Sequence, residues 1–432
     1  MLTTVKLKNF KLHEHVSIEA RRITVFIGPN NSGKSTIFQA LLALRQAPES
    51  ILLPPVPGRE PGSSPHSQPQ AYGMIDLGEF KNVLRRGSEE LQIGLSGELL
   101  TENSPHPFLR DSGPVCVSFE VSFRENQLVQ HEGSIGTSHE KARWLYPGHT
   151  GADPGIVLVL RTQHRILLEP VPTLQLLRVR VPNTHPDSLP LAEFFGKQPR
   201  QLLESIHPVY ALRGFEEAGY PIAETPPQNG LDRATLGERS AALTNLLAYN
   251  AQLKAEISGK LEEMLGLGID FELVPGRRIK IWARSLEAMS PAALFVNEGT
   301  GATQLPFIFV PIAMAKPHET VLLSEPEAHL HPKKQSELTA FILKASQATP
   351  LQFFIETHSE HVLHRILHAV AKKELSLDDL AIYYFESQDG KAVASLLEID
   401  ERGGVKGGLP GFFDQNLDEL SEYLDALKGS KG

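Results

Sequence analysis

The chain has 432 residues, with 42 Lys+Arg against 51 Asp+Glu and a formal net charge of −9. Hydrophobic residues at 41% and charged residues at 22% are ordinary globular composition, and the acidic balance excludes a generally basic nucleic-acid coat, though not a local basic groove. No apolar run reaches the roughly 18 residues of a membrane span, the opening MLTTVKLKNF lacks a signal-peptide core, and the single cysteine, Cys116, excludes an internal disulfide and fits a reducing cytoplasm.

Residues 3–10 and 15–27 read as two strands, the second ending in the apolar stretch Ile23–Ile27. A glycine-rich turn follows, and 35–45 carries apolar residues at helical spacing. Residues 48–73 are rich in Pro, Gly and Ser and read as a mobile surface loop. The β-branched, alternating segments 91–99, 115–123, 156–168 and 176–181 predict an antiparallel sheet. From 189 to 266 the period turns helical, most clearly in LTNLLAYNAQLKAEISGKLEEMLGLG, without the heptads of a long coiled coil. Short strands follow at 271–274 and 279–283. Beyond residue 290, helices at 301–315, 333–346 and 360–373 alternate with strands at 319–323, 351–355 and 380–386, a parallel α/β pattern.

Gly28-Pro29-Asn30-Asn31-Ser32-Gly33-Lys34-Ser35, followed by Thr36, fits G-x-x-x-x-G-K-[ST] between a predicted strand and a predicted helix, the context of a P-loop. Glycines let backbone N–H groups turn around phosphate oxygens, and the helix start adds positive dipole. Lys34 would reach the β- and γ-phosphates, and the Ser35 hydroxyl would ligate Mg²⁺. A second signal is VLLSEPE, an apolar strand ending in Ser324, Glu325 and Glu327. A nucleotide hydrolase needs an acid there, though alone the segment equally suits a solvated acidic turn. A third is Glu356-Thr357-His358-Ser359, where His358 could bond a γ-phosphate or its water, while Thr357 or Ser359 could simply cap a helix. A fourth is NEGTGATQ, with Gly299, Gly301 and Thr303, either another anion site or only a helix-start turn.

The order P-loop, Gly/Thr-rich helix start, LLSEPEAHLHP, ETHSEHVLHRI resembles the ABC-type ATPase heads of the RecF, structural-maintenance-of-chromosomes and overcoming-lysogenization-defect proteins. It most resembles prokaryotic AAA-family ATPases with a C-terminal GFFD-containing segment, matched here by LPGFFDQNLDEL at 409–420. The resemblance implies an α/β head with a mostly parallel central sheet, an antiparallel β-subdomain and a short helical insertion. Residues 1–185 would be its N-terminal lobe, 186–268 the helical arm or lid, and 269–432 its C-terminal lobe. Carried over by position, Lys34 and Ser35 bind phosphate and Mg²⁺, Glu325 is the general base, and His358 is the switch histidine. Gly299, Gly301 and Thr303 would contact the γ-phosphate bound by a partner subunit, so ATP would join two heads into a homodimer or higher oligomer. The family usually has an acid where Ser324 stands beside the metal, so hydrolysis is slow, or Glu327 or Glu325 shares that task. Gln70 is a weak match to the family's Mg²⁺-sensing glutamine.

Relatives of the overcoming-lysogenization type carry a nuclease after the head. No D-x-D or H-N-H pattern follows His358, which implies a separately encoded effector. His361, His364 and His368 share a helical face, but no Cys or well-spaced carboxylate completes a metal set. Arg85-Arg86, Arg277-Arg278-Lys280 and Lys333-Lys334 could meet DNA, with solvated charge the default. The expected function is an ATP-dimerised ATPase in DNA-linked work such as repair or anti-phage defence. The alternative is an ATP-gated scaffold, with little hydrolysis, that holds or releases a partner.

Overall fold

A computed structural model describes residues 1–46, 74–75, 77–100, 114–125, 127–136, 141–146, 156–159, 165–169, 178–179, 198–225, 227, 231–232, 235–285 and 292–408. Among them, a central six-stranded sheet runs in the order Ile206–Val209, Thr320–Ser324, Gln352–Glu356, Ile23–Ile27, Leu380–Gln388, Lys391–Leu396. The first five strands are parallel, and the last pairs antiparallel with its neighbour. The strand from the N-terminal end therefore lies between two strands from the far end of the sequence.

A strand buried on both faces must be apolar throughout, and all five residues of Ile23–Ile27 are buried. Its period of two sends alternate side chains into different cores. Phe26 packs with Ile37, Leu41 and Leu44 of the helix Lys34–Gln46. Ile23, Val25 and Ile27 share the other core with Ile308 of the helix Pro306–Met314 and Val362 of the helix Glu360–Ala371. The helices Leu236–Tyr249 and Ala251–Leu265 bring Leu243, Leu247, Ile257 and Leu261 into that second core, so they lie against the central sheet.

A six-stranded antiparallel sheet runs His13–Glu19, Leu2–Phe10, Leu91–Leu99, Val115–Arg124, Gln127–Gly136, Lys141–Tyr146. Val5, Leu7, Ile93 and Leu95 on its inner face close the core beneath the helix Lys34–Gln46. The expected α/β class, with an antiparallel sheet beside a mostly parallel one, is what the chain adopts.

Several boundaries differ from the sequence reading. The stretch 15–27 is two strands in two sheets, His13–Glu19 and Ile23–Ile27. At the corner between them, the Arg21 N–H donates to the Thr24 hydroxyl at 2.9 Å. The stretch 189–266 is not helical throughout: Ile206–Val209 edges the central sheet, and Gly219–Pro221 pairs with Arg278–Ser285. Pro208 has no N–H to give a ladder, which suits an edge strand. The helix expected at 301–315 divides into Thr300–Gln304 and Pro306–Met314, with Pro306 opening the second. The strand expected at 156–168 is an antiparallel pair, Ile156–Val159 and Arg165–Glu169. The loop 48–73 with Gln70, and the segment 409–420, lie outside the described residues.

Candidate nucleotide site

The strand Ile23–Ile27 ends on the loop 28–33, and the helix Lys34–Gln46 begins directly after it. Gly28 has φ 137°, and a Cβ there would lie 2.1 Å from the Phe385 carbonyl oxygen. Gly33 has φ 96°, and its Cβ would lie 2.8 Å from that of Ala392 and 2.9 Å from His13 Nε2. Both backbone conformation and space therefore require glycine. Gly28→Ala is expected to destabilise the fold by about 3 kcal/mol or more, read as a lower midpoint in denaturant unfolding. The buried His13 places Nε2 2.9 Å from the Gly33 carbonyl, so a neutral ring donating there braces the loop from the antiparallel sheet.

Lys34 is 3% exposed and donates from Nζ to the carbonyls of Gly28 at 2.9 Å and Pro29 at 2.7 Å. Burial lowers its pKa, and the charges of Glu356 and Glu325 oppose that shift. The next side chain, Ser35, donates its hydroxyl to the Glu356 carboxylate. Pro29, Asn30 and Asn31 form the outer rim of the loop, with Asn31 in the left-handed region at φ 58°. Ser32 and Thr36 are buried beneath it.

Glu325 follows the strand Thr320–Ser324 and adopts φ 46°, unusual for a residue with a Cβ. Its N–H donates to the Glu356 carbonyl at 2.8 Å, and its own carbonyl accepts from the Ala328 N–H at 3.1 Å. Arg213 completes the hold: Nη2 donates to the Glu325 carbonyl at 2.6 Å and Nη1 to the Ser324 carbonyl at 2.8 Å. Arg213 is buried, which draws its pKa down to about 10 against the opposing charges of Glu327 and Glu325. With its backbone fixed in this way, Glu325 stands close enough for its charge to act on Lys34, Glu356, Glu327 and His358.

Glu327 is buried and ties two turns together. One oxygen accepts from the Thr357 hydroxyl at 2.6 Å and from the His358 N–H at 3.0 Å. Burial raises its pKa, and these hydrogen bonds oppose the rise. His358 lies at the surface; partial burial and then Lys34 lower its pKa, while Glu325 opposes. Ser359 caps the helix Glu360–Ala371 by accepting from the N–H groups of His361 and Val362. The ETHS segment thus serves as a cap and also brings a histidine to the site.

Gly299, Gly301 and Thr303 open the helix Thr300–Gln304 elsewhere, against the turn that follows Glu325. A Cβ on Gly301 would lie 2.7 Å from the His329 carbonyl, and the Gln304 amide donates to the Ala328 carbonyl. Lys34, Ser35, Glu325 and His358 thus follow the carboxyl ends of three neighbouring strands of the central sheet, and the helix Thr300–Gln304 lies against the turn that follows Glu325.

Residues 1–91 match the family model "AAA ATPase domain" and residues 289–364 match "AAA domain, putative AbiEii toxin, Type IV TA system". Two separate stretches of the chain therefore match AAA-type ATPase models. Residues 375–422 match "Protein of unknown function (DUF3696)", the segment in which the GFFD resemblance falls. No curated protein matches the chain. Among solved structures, it is similar to an SMC head bound to the C-winged helix domain of ScpA, at 14% identity and TM-score 0.47, covering 92% of this chain and 98% of that one. It is also similar to the SMC head domain from Thermotoga maritima, at 12% identity and TM-score 0.41, covering 92% and 99%. A third is the Pyrococcus furiosus SMC head with an extended coiled coil, at 13% identity and TM-score 0.44, covering 99% of each.

Two residues of this candidate nucleotide site were not legible in the sequence. Arg213 belongs to no motif and follows a strand of only four residues. Glu356 was legible only as the start of the histidine segment, yet its carboxylate is the one bonded to Ser35. The Ser35 hydroxyl and a buried carboxylate are hard oxygen donors, a set that fits Mg²⁺. No group of three or more His, Cys, Asp and Glu able to hold a metal occurs among the described residues. The basic clusters are engaged in ion pairs: Arg85 with Glu14, Arg277 with Glu224, Arg278 with Glu217 and Lys334 with Glu337. No helix among the described residues is long and apolar enough to cross a membrane.

Proposed function

We propose that the chain is an ABC-type head that binds ATP with Mg²⁺ and hydrolyses it. The backbone of Gly28–Ser35 cradles the phosphates, with Lys34 as their cation. Mg²⁺, held by Ser35 and a neighbouring carboxylate, would neutralise charge on the β- and γ-phosphates. Glu325 accepts the proton of the attacking water, and His358 hydrogen-bonds the γ-phosphate side. One observation carries this reading. Glu325, at the end of a central strand one strand removed from the P-loop strand, donates its N–H to the Glu356 carbonyl at 2.8 Å, and the Glu356 carboxylate accepts the hydroxyl hydrogen of Ser35.

Gly299, Gly301 and Thr303 meet the nucleotide of a second copy, so ATP closes two heads into a homodimer or a larger assembly. The assembly would act in DNA-linked anti-phage defence with a separately encoded effector, and the toxin–antitoxin wording of one matched family is in keeping with the defence part of that reading. The second reading, an ATP-gated scaffold, is favoured by Ser324, a hydroxyl at the position where an acid would assist the metal. Steady-state turnover with and without double-stranded DNA, together with sizing in the presence and absence of ATP, tests both. Mg²⁺-dependent turnover with an ATP-dependent larger species is expected. ATP binding without turnover selects the scaffold, and absence of ATP binding rejects both.

A further inference from the structure

Ser324 leaves the metal short of a carboxylate on its own strand, and the neighbouring strand offers one. Thr320–Ser324 and Gln352–Glu356 are adjacent and parallel, and their register pairs Ser324 with Glu356. Strands in a ladder lie about 4.8 Å apart, so an acid at 356 serves nearly the same space as an acid at 324. The Glu356 side chain uses that reach, because its carboxylate accepts the hydroxyl hydrogen of Ser35, the P-loop hydroxyl. We propose that Glu356 supplies the carboxylate of the Mg²⁺ site in place of residue 324. This rests on the reading of the site as one for MgATP.

Three further observations support the assignment. Glu356 is only 2% exposed, and a buried carboxylate is costly unless a cation or several hydrogen bonds compensate it. The carboxylates of Glu325 and Glu327 lie in its surroundings, and among the described residues the cation beside it is Lys34, the side chain assigned to phosphate. A divalent ion at Ser35 would answer this concentration of negative charge. Finally, the backbone carbonyl of Glu356 accepts the Glu325 N–H, so a single residue fixes both the proposed base and the metal's hydroxyl ligand.

A rival role is purely mechanical: Glu356 could latch the helix Lys34–Gln46 to the sheet through Ser35. The two roles differ in metal dependence. ATP affinity is measured with a fluorophore-labelled ATP in EDTA and across a Mg²⁺ series, and the readout is the ratio of affinities with and without Mg²⁺. Glu356→Gln removes a negative charge next to the triphosphate, so metal-free binding should hold or tighten. The Mg²⁺ enhancement should fall about 10- to 100-fold, with the Mg²⁺ midpoint raised to match. Adding Ser324→Asp to Glu356→Gln should restore most of that enhancement, because the acid returns to the same space from the other strand. Mn²⁺ in place of Mg²⁺, followed by electron paramagnetic resonance with ATP present, should show weaker ion retention in Glu356→Gln.

Equal loss of affinity with and without metal, leaving the ratio unchanged, assigns the latch role and overturns the proposal. So does an Mg²⁺ midpoint equal to that of the unmodified chain. Should Glu356→Gln fail to fold, Glu356→Ala is measured in its place, and an unchanged ratio there overturns the proposal equally. An unmodified chain that binds no ATP at any Mg²⁺ concentration overturns the nucleotide reading itself. That outcome differs from failure of the Glu356 assignment alone, in which the unmodified chain binds normally.

Discussion

Lys34→Ala is expected to lose ATP binding by roughly 30- to 4,000-fold, the 2–5 kcal/mol that removal of one partner from a buried, hydrogen-bonded charge pair costs. Lys34 is the lysine of the loop, is almost fully buried, and already points its ammonium at the carbonyls of Gly28 and Pro29. Those contacts hold the side chain along the loop where a phosphate would lie, so little ordering is left to be done on binding. Alanine removes the cation and leaves two carbonyls facing anionic phosphate. A titration with fluorophore-labelled ATP, paired with a thermal melt to verify folding, reads the result. Unchanged affinity would remove the P-loop assignment. The lysine's lowered pKa adds a second readout. Burial favours its neutral form, against Glu356 and Glu325, so ATP affinity should begin to fall at a lower alkaline pH than an exposed lysine would give.

The parts of the site that could be read from sequence are those whose chemistry is contiguous. The P-loop needs one run of residues between a strand and a helix, and 28–35 supplies it. Glu325 and His358 each lie within three residues of the end of an apolar run, and in a parallel sheet the carboxyl ends of such strands collect on one edge. Tertiary proximity is different. Arg213 reaches the carbonyls of Ser324 and Glu325 across more than a hundred residues, and nothing in YALRGF marks an arginine that will be buried. The pairing of Ser324 with Glu356 depends on register between two strands that each read only as apolar.

The same distinction explains the misplaced boundaries. Between His13–Glu19 and Ile23–Ile27 stand only Ala20, Arg21 and Arg22, with no Gly or Pro to signal a corner. The corner is fixed from outside, by Arg21 donating to the Leu380 carbonyl at 3.0 Å and by Arg22 facing Asp379 at 3.6 Å. Ile206–Val209 is too short to show a period, and it becomes a strand because Thr320–Ser324 offers it an edge. In the other direction, the stretch from Leu243 was legible as amphipathic, but neither its division at Asn250 between Leu236–Tyr249 and Ala251–Leu265 nor its place in the central core was. Amphipathicity shows that a helix has a face to bury and leaves its partner unspecified.

Glu325→Gln is expected to keep ATP binding and lower turnover by about 10²- to 10⁴-fold, the range for removal of a general base. The substitution is a clean probe here because the backbone is held without help from the side chain. The Glu325 N–H is fixed on the Glu356 carbonyl, and its carbonyl on Arg213 and Ala328. The left-handed φ of 46° costs glutamine and glutamate alike. What changes is the ability to take a proton from water. On the proposed reading, the variant accumulates with ATP bound, so it should run as a larger species with ATP than without, and more persistently than the unmodified chain. Glu327 is the rival base, and its surroundings argue against it. It is 7% exposed, and one oxygen is already committed to the Thr357 hydroxyl and the His358 N–H. Glu327→Gln can keep its amide oxygen on both donors but buries an NH₂ where the second carboxylate oxygen has no hydrogen-bond partner, so it should cost stability first and turnover only with it. Wild-type turnover in Glu325→Gln, with loss of turnover but no loss of thermal stability in Glu327→Gln, would reverse the assignment.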